Sequence, residues 1–478
     1  MPAHEFNIAI IGAGSAGMRA YREATKVTDS VVLIEGERYG TTCARVGCMP
    51  SKLLIAAADA AEHGRHTAPL GVRYGAPEID GKAVMQRVRD ERDRFVGFVV
   101  DTVEDWPEHQ RLMGRARFVD DHTLAVGDDT EVRAGRIVIA TGSRTNIIPP
   151  LKDFGDRLIT SDDIFDLLDL PESVAVFGAG VIGLELGQAL HRLGVDVVLF
   201  GAGDFVGPLT DPEVLSTARE LFQAEFEFHP DADVIRRSEL DDGVEIEYRH
   251  EGGIKVRRFD YALGATGRRP NVDGLGLENT SLALDERGMP VHDLHTGRCG
   301  DSHVFIAGDA NARFPLLHEA ADEGMVAGYN AARHPDIRRF RKSAPISVVF
   351  SDPQIMMVGR THAELIDSDL DWAVAELDWE TQGRARVMQM NAGLIRVYGD
   401  RDSGRFLGAE MIGPRAEHLA HLLAWACQSR LTVGEMLERP FYHPVFEEGL
   451  RTALRKLNYE LQMGERPPPR CIDCGPGA

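Results

Sequence analysis

The apolar runs of this chain begin at Asn7 to Ile11, which leads into Gly12-Ala13-Gly14-Ser15-Ala16-Gly17 and, after a helical stretch, into Val31-Val32-Leu33-Ile34-Glu35. That order reads strand, glycine turn, helix, strand. Residues 174 to 200 repeat the plan: Val174 to Phe177, then Gly178-Ala179-Gly180-Val181-Ile182-Gly183, a helix, and a strand from Asp196 to Phe200. Two copies in one chain predict two separate dinucleotide sites. Thr145 to Pro171, with Pro149-Pro150 and other turn residues, suits a crossing between domains. A further apolar strand, Val304 to Ala307, ends in Gly308-Asp309. After Ser343 the pattern changes to a β-rich run, Ile346 to Phe350, and then to mixed strands and helices. The last 13 residues, Arg466 to Ala478, hold four prolines and two cysteines and read as an irregular tail.

A glycine-rich turn alone is weak evidence, but each copy here sits between a strand and a helix. In the first, Gly12 permits the tight turn, Gly14 lets backbone approach a pyrophosphate, and Gly17 lets the helix pack on the strand. The pyrophosphate would meet the unpaired N–H groups of the helix. Glu35 has the spacing of the acid that accepts from a ribose hydroxyl. In the second copy, Gly178, Gly180 and Gly183 repeat the turn, but the position matching Glu35 reads Phe200-Gly201-Ala202. There is neither a carboxylate to favour NAD nor an arginine pair for a 2′-phosphate. The expectation is NAD, because a dianionic phosphate without basic partners is poorly stabilised; NADP stays open.

The most informative segment is Gly40-Thr41-Thr42-Cys43-Ala44-Arg45-Val46-Gly47-Cys48-Met49-Pro50-Ser51-Lys52. Two cysteines five apart at the start of a helix can close a disulfide. The helix N-terminus and Lys52 both lower a thiol pKa there. Half of a metal site is the competing reading, although no second Cys/His pair at matching spacing follows. No resident metal is expected.

Composition narrows the setting. The chain has 478 residues, 43% hydrophobic and 27% charged, which suits a globular protein of two to four domains. Lys and Arg number 53 against 75 Asp and Glu, a formal charge of −22 that argues against nucleic-acid or anionic-membrane partners. Phe6 to Ile11 has neither the basic flank nor the length of a secretory signal. No stretch approaches the ~18 apolar residues of a membrane helix. With six cysteines the chain is no disulfide scaffold, and a cytoplasmic location is expected.

The cysteine segment resembles the redox-helix signature of the pyridine nucleotide-disulfide oxidoreductases, and the resemblance runs from about Phe6 to Leu461. It extends through Ala140-Thr141-Gly142, Ala265-Thr266-Gly267-Arg268-Arg269-Pro270-Asn271, Ile306-Ala307-Gly308-Asp309, His318-Glu319-Ala320-Ala321, Pro345 to Gly359, and His443-Pro444-Val445-Phe446-Glu447-Glu448. It implies an α/β fold with two doubly wound dinucleotide domains and a C-terminal α+β dimerisation domain. The FAD domain would take 1–150 and 275–344, the NAD(P) domain 151–274, and the interface domain 345–465, with 466–478 as a cysteine-containing tail. By position, Cys43 would be the interchange thiol and Cys48 the charge-transfer thiolate against the flavin. Lys52 and Glu185 would pair beside it. Asp309 would hydrogen-bond the ribityl chain, with Thr141, Gly142 and Gly308 also on FAD and Gly267 on the nicotinamide nucleotide. His443, oriented by Glu448, would serve Cys43 of the partner subunit, which makes the protein a homodimer. Thiol–disulfide exchange independently asks for such a group, since a departing thiolate needs a proton and a carboxylate fixes the imidazole tautomer.

Four positions depart from the family pattern: Thr41 for a glycine, Arg45 for the asparagine of dihydrolipoamide enzymes, Val445 for a threonine, and Gly201 for the NAD-selecting acid. The tail pair Cys471/Cys474 is either an electron relay or a hand-off pair for a soft metal, or two incidental thiols. The resemblance implies oxidation of reduced lipoamide, free or on a lipoyl domain, with electrons passed through FAD to NAD. His443 with Glu448, the missing basic cluster after Phe200 and the intact cysteine pair favour it. A nicotinamide-driven reductase of another disulfide or a metal ion is the alternative, and a docking subunit of a multienzyme complex is the reading from another class.

Overall fold

Residues 3–463 are described in a computed structural model, and the apolar runs of the sequence become the inner strands of its parallel sheets. In the first sheet, Ala3–Ile11 lies between Val31–Glu35 and Thr130–Ile139, with Val304–Ile306 beside the latter. All four run parallel. Val31 to Ile34 are fully buried, because helices cover the Val31 and Leu33 face while Phe118, Leu124 and Leu275 cover the Val32 and Ile34 face, and this is why the strand reads as continuously apolar rather than alternating. The first strand begins four residues before the apolar run, at Ala3. There His4 and Glu5 are exposed, and pairing with Val132 and Arg133 alone carries them.

The register brings the sequence motifs together. Ile11 pairs with both Ile34 and Ile139, and Ile139 pairs with Ile306. Gly12, Thr141, Gly142, Gly308 and Asp309 therefore all follow the carboxyl ends of three neighbouring strands, where ligands bind in doubly wound sheets. The helix Ser15–Ala24 rises from this edge and packs on Leu317–Arg333. A Cβ on Gly324 or Gly328 would lie 2.2 Å from Ala16 O or 2.4 Å from Ala20 O, so the two helices approach more closely than side chains permit.

The second sheet has the order Glu227–His229, Asp196–Phe200, Ser173–Phe177, Tyr261–Gly264, Leu158–Thr160, again parallel. A three-stranded antiparallel meander, Val234 to Phe259, covers one side of it. Its core includes Phe177, Phe200, Ile246 and Tyr248. Two short strands, Ser143–Thr145 and Arg268–Pro270, pair antiparallel and tie the two units together.

The C-terminal part is a five-stranded antiparallel sheet packed with the helices Ala416–Gln428 and Glu447–Glu460 around Trp379 and Leu419. A buried polar node fixes it to the second unit. Glu410, with no exposed surface, accepts from Thr210 N, Thr210 Oγ1, Asp211 N and His362 N at 2.6–2.9 Å. Asp211, equally buried, accepts from Arg396 and the Tyr398 hydroxyl. Buried carboxylates of this kind are tolerated only when fully hydrogen-bonded, as both are. Among the described residues no helix is long and apolar enough to cross a membrane. Cys471 and Cys474 lie outside the described residues.

Candidate active site

The cysteine segment does not form one helix. Thr42–Val46 and Cys48–Arg65 are separate helices broken at Gly47, whose φ of −125° and ψ of −116° turn the chain back. A Cβ at Gly47 would lie 3.1 Å from Thr42 O and 3.2 Å from Cys43 Cα. The break sets the two thiols close enough for each to shift the other's ionisation and makes Cys48 the first residue of the longer helix. Thr41, one of the departures from the family pattern, caps the short helix: its Oγ1 accepts from Ala44 N at 3.1 Å.

Both cysteines are free, Cys43 half-buried and Cys48 exposed. The hydrogen bond from Cys43 holds the Cys48 thiol down to about 7, against burial and aided by Lys52. That same bond, together with burial, raises the Cys43 thiol well above its ordinary value. In the reduced pair the charge therefore belongs to Cys48 and the proton to Cys43. Lys52 Nζ stands 2.6 Å from Glu185 Oε2, while Glu185 Oε1 accepts from Phe350 N at 3.0 Å. Lys52 also lies 4.5 Å above the Phe350 ring, so three parts of the chain meet one turn below Cys48.

The first glycine turn fits FAD. A Cβ on Gly12, which has φ +105°, would lie 2.3 Å from Ala140 O, whereas around Gly14 there is open space to receive a phosphate. A Cβ on Gly17 would be 1.8 Å from Gly12 O, so only glycine closes the turn on its helix. Glu35 Oε2 accepts from Ala13 N at 2.9 Å, which puts the candidate ribose-binding acid at the turn. Thr141 Oγ1 is buried without a protein partner at the strand edge, as expected of a group that meets a ligand. Asp309 Oδ2 accepts from Ser143 Oγ at 2.6 Å, and Ser143 Oγ in turn accepts from Arg268 Nε at 2.8 Å. Ser143 and Arg268 are absent from the sequence reading of the site, although Arg268 belongs to the Ala265–Asn271 motif.

The second turn repeats the geometry. A Cβ on Gly178 would meet Ala265 O at 2.4 Å, one on Gly183 would meet Gly178 O at 1.8 Å, and Gly180 is open. Gly267, with φ +92°, follows the neighbouring strand Tyr261–Gly264. Gly12→Val is expected to yield protein without flavin absorbance, whereas Gly178→Val keeps the flavin and loses nicotinamide-nucleotide binding. Absorbance at the flavin band and calorimetric titration with NAD check the pair, and loss of flavin from both variants would contradict two independent sites.

His443 is exposed, and its Nδ1 stands 3.0 Å from both Glu448 oxygens. That hydrogen bond, aided by Val445 N, draws the Glu448 carboxyl below its ordinary range. A carboxylate on Nδ1 favours the tautomer with the proton there and leaves Nε2 without a hydrogen-bond partner among the described residues. Among the described residues no hydrogen bond joins His443 to Cys43 within one chain. Arg45 packs beneath Gly40, and its Nε is buried without a partner.

The chain matches the family model described as pyridine nucleotide-disulphide oxidoreductase over residues 6–324, and that family's dimerisation domain over 346–454. It is 31% identical over 463 residues to dihydrolipoyl dehydrogenase 3 of Pseudomonas aeruginosa, covering 94% of this chain and 97% of that one. It is 30% identical over 450 residues to the dihydrolipoyl dehydrogenase of Geobacillus stearothermophilus, with 93% and 95% covered. Among solved structures, LpdA from Mycobacterium tuberculosis superposes with a TM-score of 0.80 at 25% identity, covering 95% of this chain and 99% of that chain. The HOCl-induced flavoprotein disulfide reductase RclA from Escherichia coli does so with 0.79 at 23% identity over 95% and 99%, which is a likeness of fold. This chain belongs to the pyridine nucleotide-disulphide oxidoreductase family, whose members use FAD and a nicotinamide nucleotide.

Proposed function

We propose that this protein oxidises dihydrolipoamide, free or on a lipoyl domain, at the Cys43–Cys48 pair and delivers the electrons to NAD. The observation that carries the reading is the placement of the pair: Cys43 lies on the short helix that breaks at Gly47, and Cys48 opens the long helix one turn before Lys52, which is paired to Glu185. The curated relatives named dihydrolipoyl dehydrogenase support the substrate.

In the oxidised enzyme, one substrate thiolate attacks Cys43 Sγ, forming a mixed disulfide and releasing Cys48 as thiolate. The helix N-terminus and Lys52 stabilise that leaving charge. The second substrate thiol then attacks the substrate sulfur of the mixed disulfide, closing the lipoamide ring and releasing Cys43. A base must take the proton of each incoming thiol, and His443 of the partner subunit, held by Glu448, has the required chemistry. Bound FAD supplies the two-electron relay between the thiols and NAD. The homodimer has its own support. Beside His443, an apolar hollow of about 560 Å³ is lined by Trp425, Phe441, Tyr442 and Val445. Trp425 and Tyr442 are 66% and 80% exposed, a face suited to another subunit.

Alkylation with mass-spectrometric readout tests the assignment. After anaerobic treatment with dihydrolipoamide, Cys43 and Cys48 should both become alkylated, having been protected before it. Equal labelling with and without substrate would overturn the reading.

A further inference from the structure

In a dinucleotide unit, the acid that holds the adenosine ribose follows the second strand. Glu35 fills that place in the first unit. The register identifies its counterpart as Gly201, since Ile11 pairs with Ile34 just as Phe177 pairs with Phe200. A Cβ on Gly201 would lie 2.4 Å from Pro230 O and 3.1 Å from Ala179 Cβ. No side chain fits there, so a ribose-binding group has to come from another element.

The loop after Asp196–Phe200 is zipped to the loop after Glu227–His229: Gly201 N donates to His229 O at 2.7 Å, and Ala232 N donates to Gly201 O at 3.0 Å. At that junction Asp231 is exposed, and its Oδ1 accepts from Gly203 N at 3.0 Å. Its other oxygen has no protein donor among the described residues. Other nearby carboxylates are engaged. Glu227 accepts from Tyr248, Lys255 and Arg257, and Asp204 is held by Arg219 at 2.5 Å. The Phe205 ring, 62% exposed, lies against Gly203, whose Cβ would touch it at 2.9 Å. An aromatic face and a carboxylate with one free oxygen thus lie on two loops zipped together, matching the base and the ribose of an adenosine.

We infer that Asp231 replaces the missing acid at 201 and selects NAD over NADP. Its free oxygen accepts from the ribose hydroxyls, and its charge repels a 2′-phosphate. This rests on the reading above only in that the second unit binds the nicotinamide nucleotide.

Calorimetric titration of the flavin-loaded protein with NAD and with NADP tests it, alongside NADH and NADPH oxidation with ferricyanide, which needs no thiol substrate. A failed lipoamide reading would therefore leave this test intact. Wild-type protein should bind NAD more tightly. In Asp231→Asn the amide oxygen still accepts from Gly203 N, so the loop is kept while the charge is lost. Its Kd for NAD should rise about tenfold, the worth of one charged hydrogen bond, with NADP unchanged or tighter. Asp231→Arg should gain affinity for NADP, which a collapsed loop cannot produce. Equal shifts for both nucleotides, no shift, or wild-type preference for NADP would overturn the inference.

Discussion

Cys43→Ser is expected to lower dihydrolipoamide oxidation by at least about 10⁴-fold, the scale seen when a covalent nucleophile is removed. Serine preserves the half-buried position and the short helix capped by Thr41, so flavin content should not change. The loss is chemical, because a hydroxyl at neutral pH can neither form nor release a mixed disulfide. Cys48→Ser should be as severe for turnover and differ in spectrum, since Cys48 carries the charge. The pH dependence follows from the same thiol. Its pKa in the folded protein, about 7, lies below the ordinary thiol value of 9.0, so the thiolate is present above that pH and is lost as pH falls through it. Thiolate-dependent labelling at Cys48 should drop about tenfold per pH unit on the acid side. Turnover of the Cys43→Ser protein within a factor of ten of wild type would remove the pair from the mechanism.

The second large effect is expected at His443. His443→Gln should lower kcat by about 10²- to 10³-fold, the usual contribution of a positioned acid and base. Glu448→Gln should cost less, because the ring remains and only its tautomer and charge support are lost. Because no hydrogen bond joins His443 to Cys43 within one chain among the described residues, a site shared between subunits should show complementation. Mixing Cys43→Ser subunits with His443→Gln subunits should restore about a quarter of wild-type activity by random dimerisation, each mixed dimer holding one intact site. Absence of any recovery from mixed dimers would show that the site is not shared between subunits.

Much of this arrangement was legible along the chain because it is local. Each glycine turn packs its own strand, turn and helix within about 20 residues, and the cysteines and the His443–Glu448 pair are each five residues apart. Contacts closed by the tertiary fold were not legible. Asp309 is held by Ser143 and through it by Arg268, partners from three segments that meet only once the sheets are stacked. The break at Gly47 depends on a close approach to Thr42 and Cys43 that spacing does not reveal, and a single helix was the natural expectation. The absence of an acid at 201 could be read directly, but its cause could not: Pro230 O fills that space from the end of another strand. Nothing in the local sequence marks Glu410 and Asp211, yet both are fully buried because they collect backbone and side-chain donors across two units.

Steady-state oxidation of dihydrolipoamide by the purified flavin-loaded protein, with NAD and NADP compared side by side, tests the central claim most directly. The account predicts turnover near ~10² per second with NAD, within the range of effective enzymes, and a clear disadvantage for NADP. Negligible turnover with either nucleotide, from a flavin-replete dimer that still oxidises NADH with ferricyanide, would contradict it and assign the Cys43–Cys48 pair to a different disulfide.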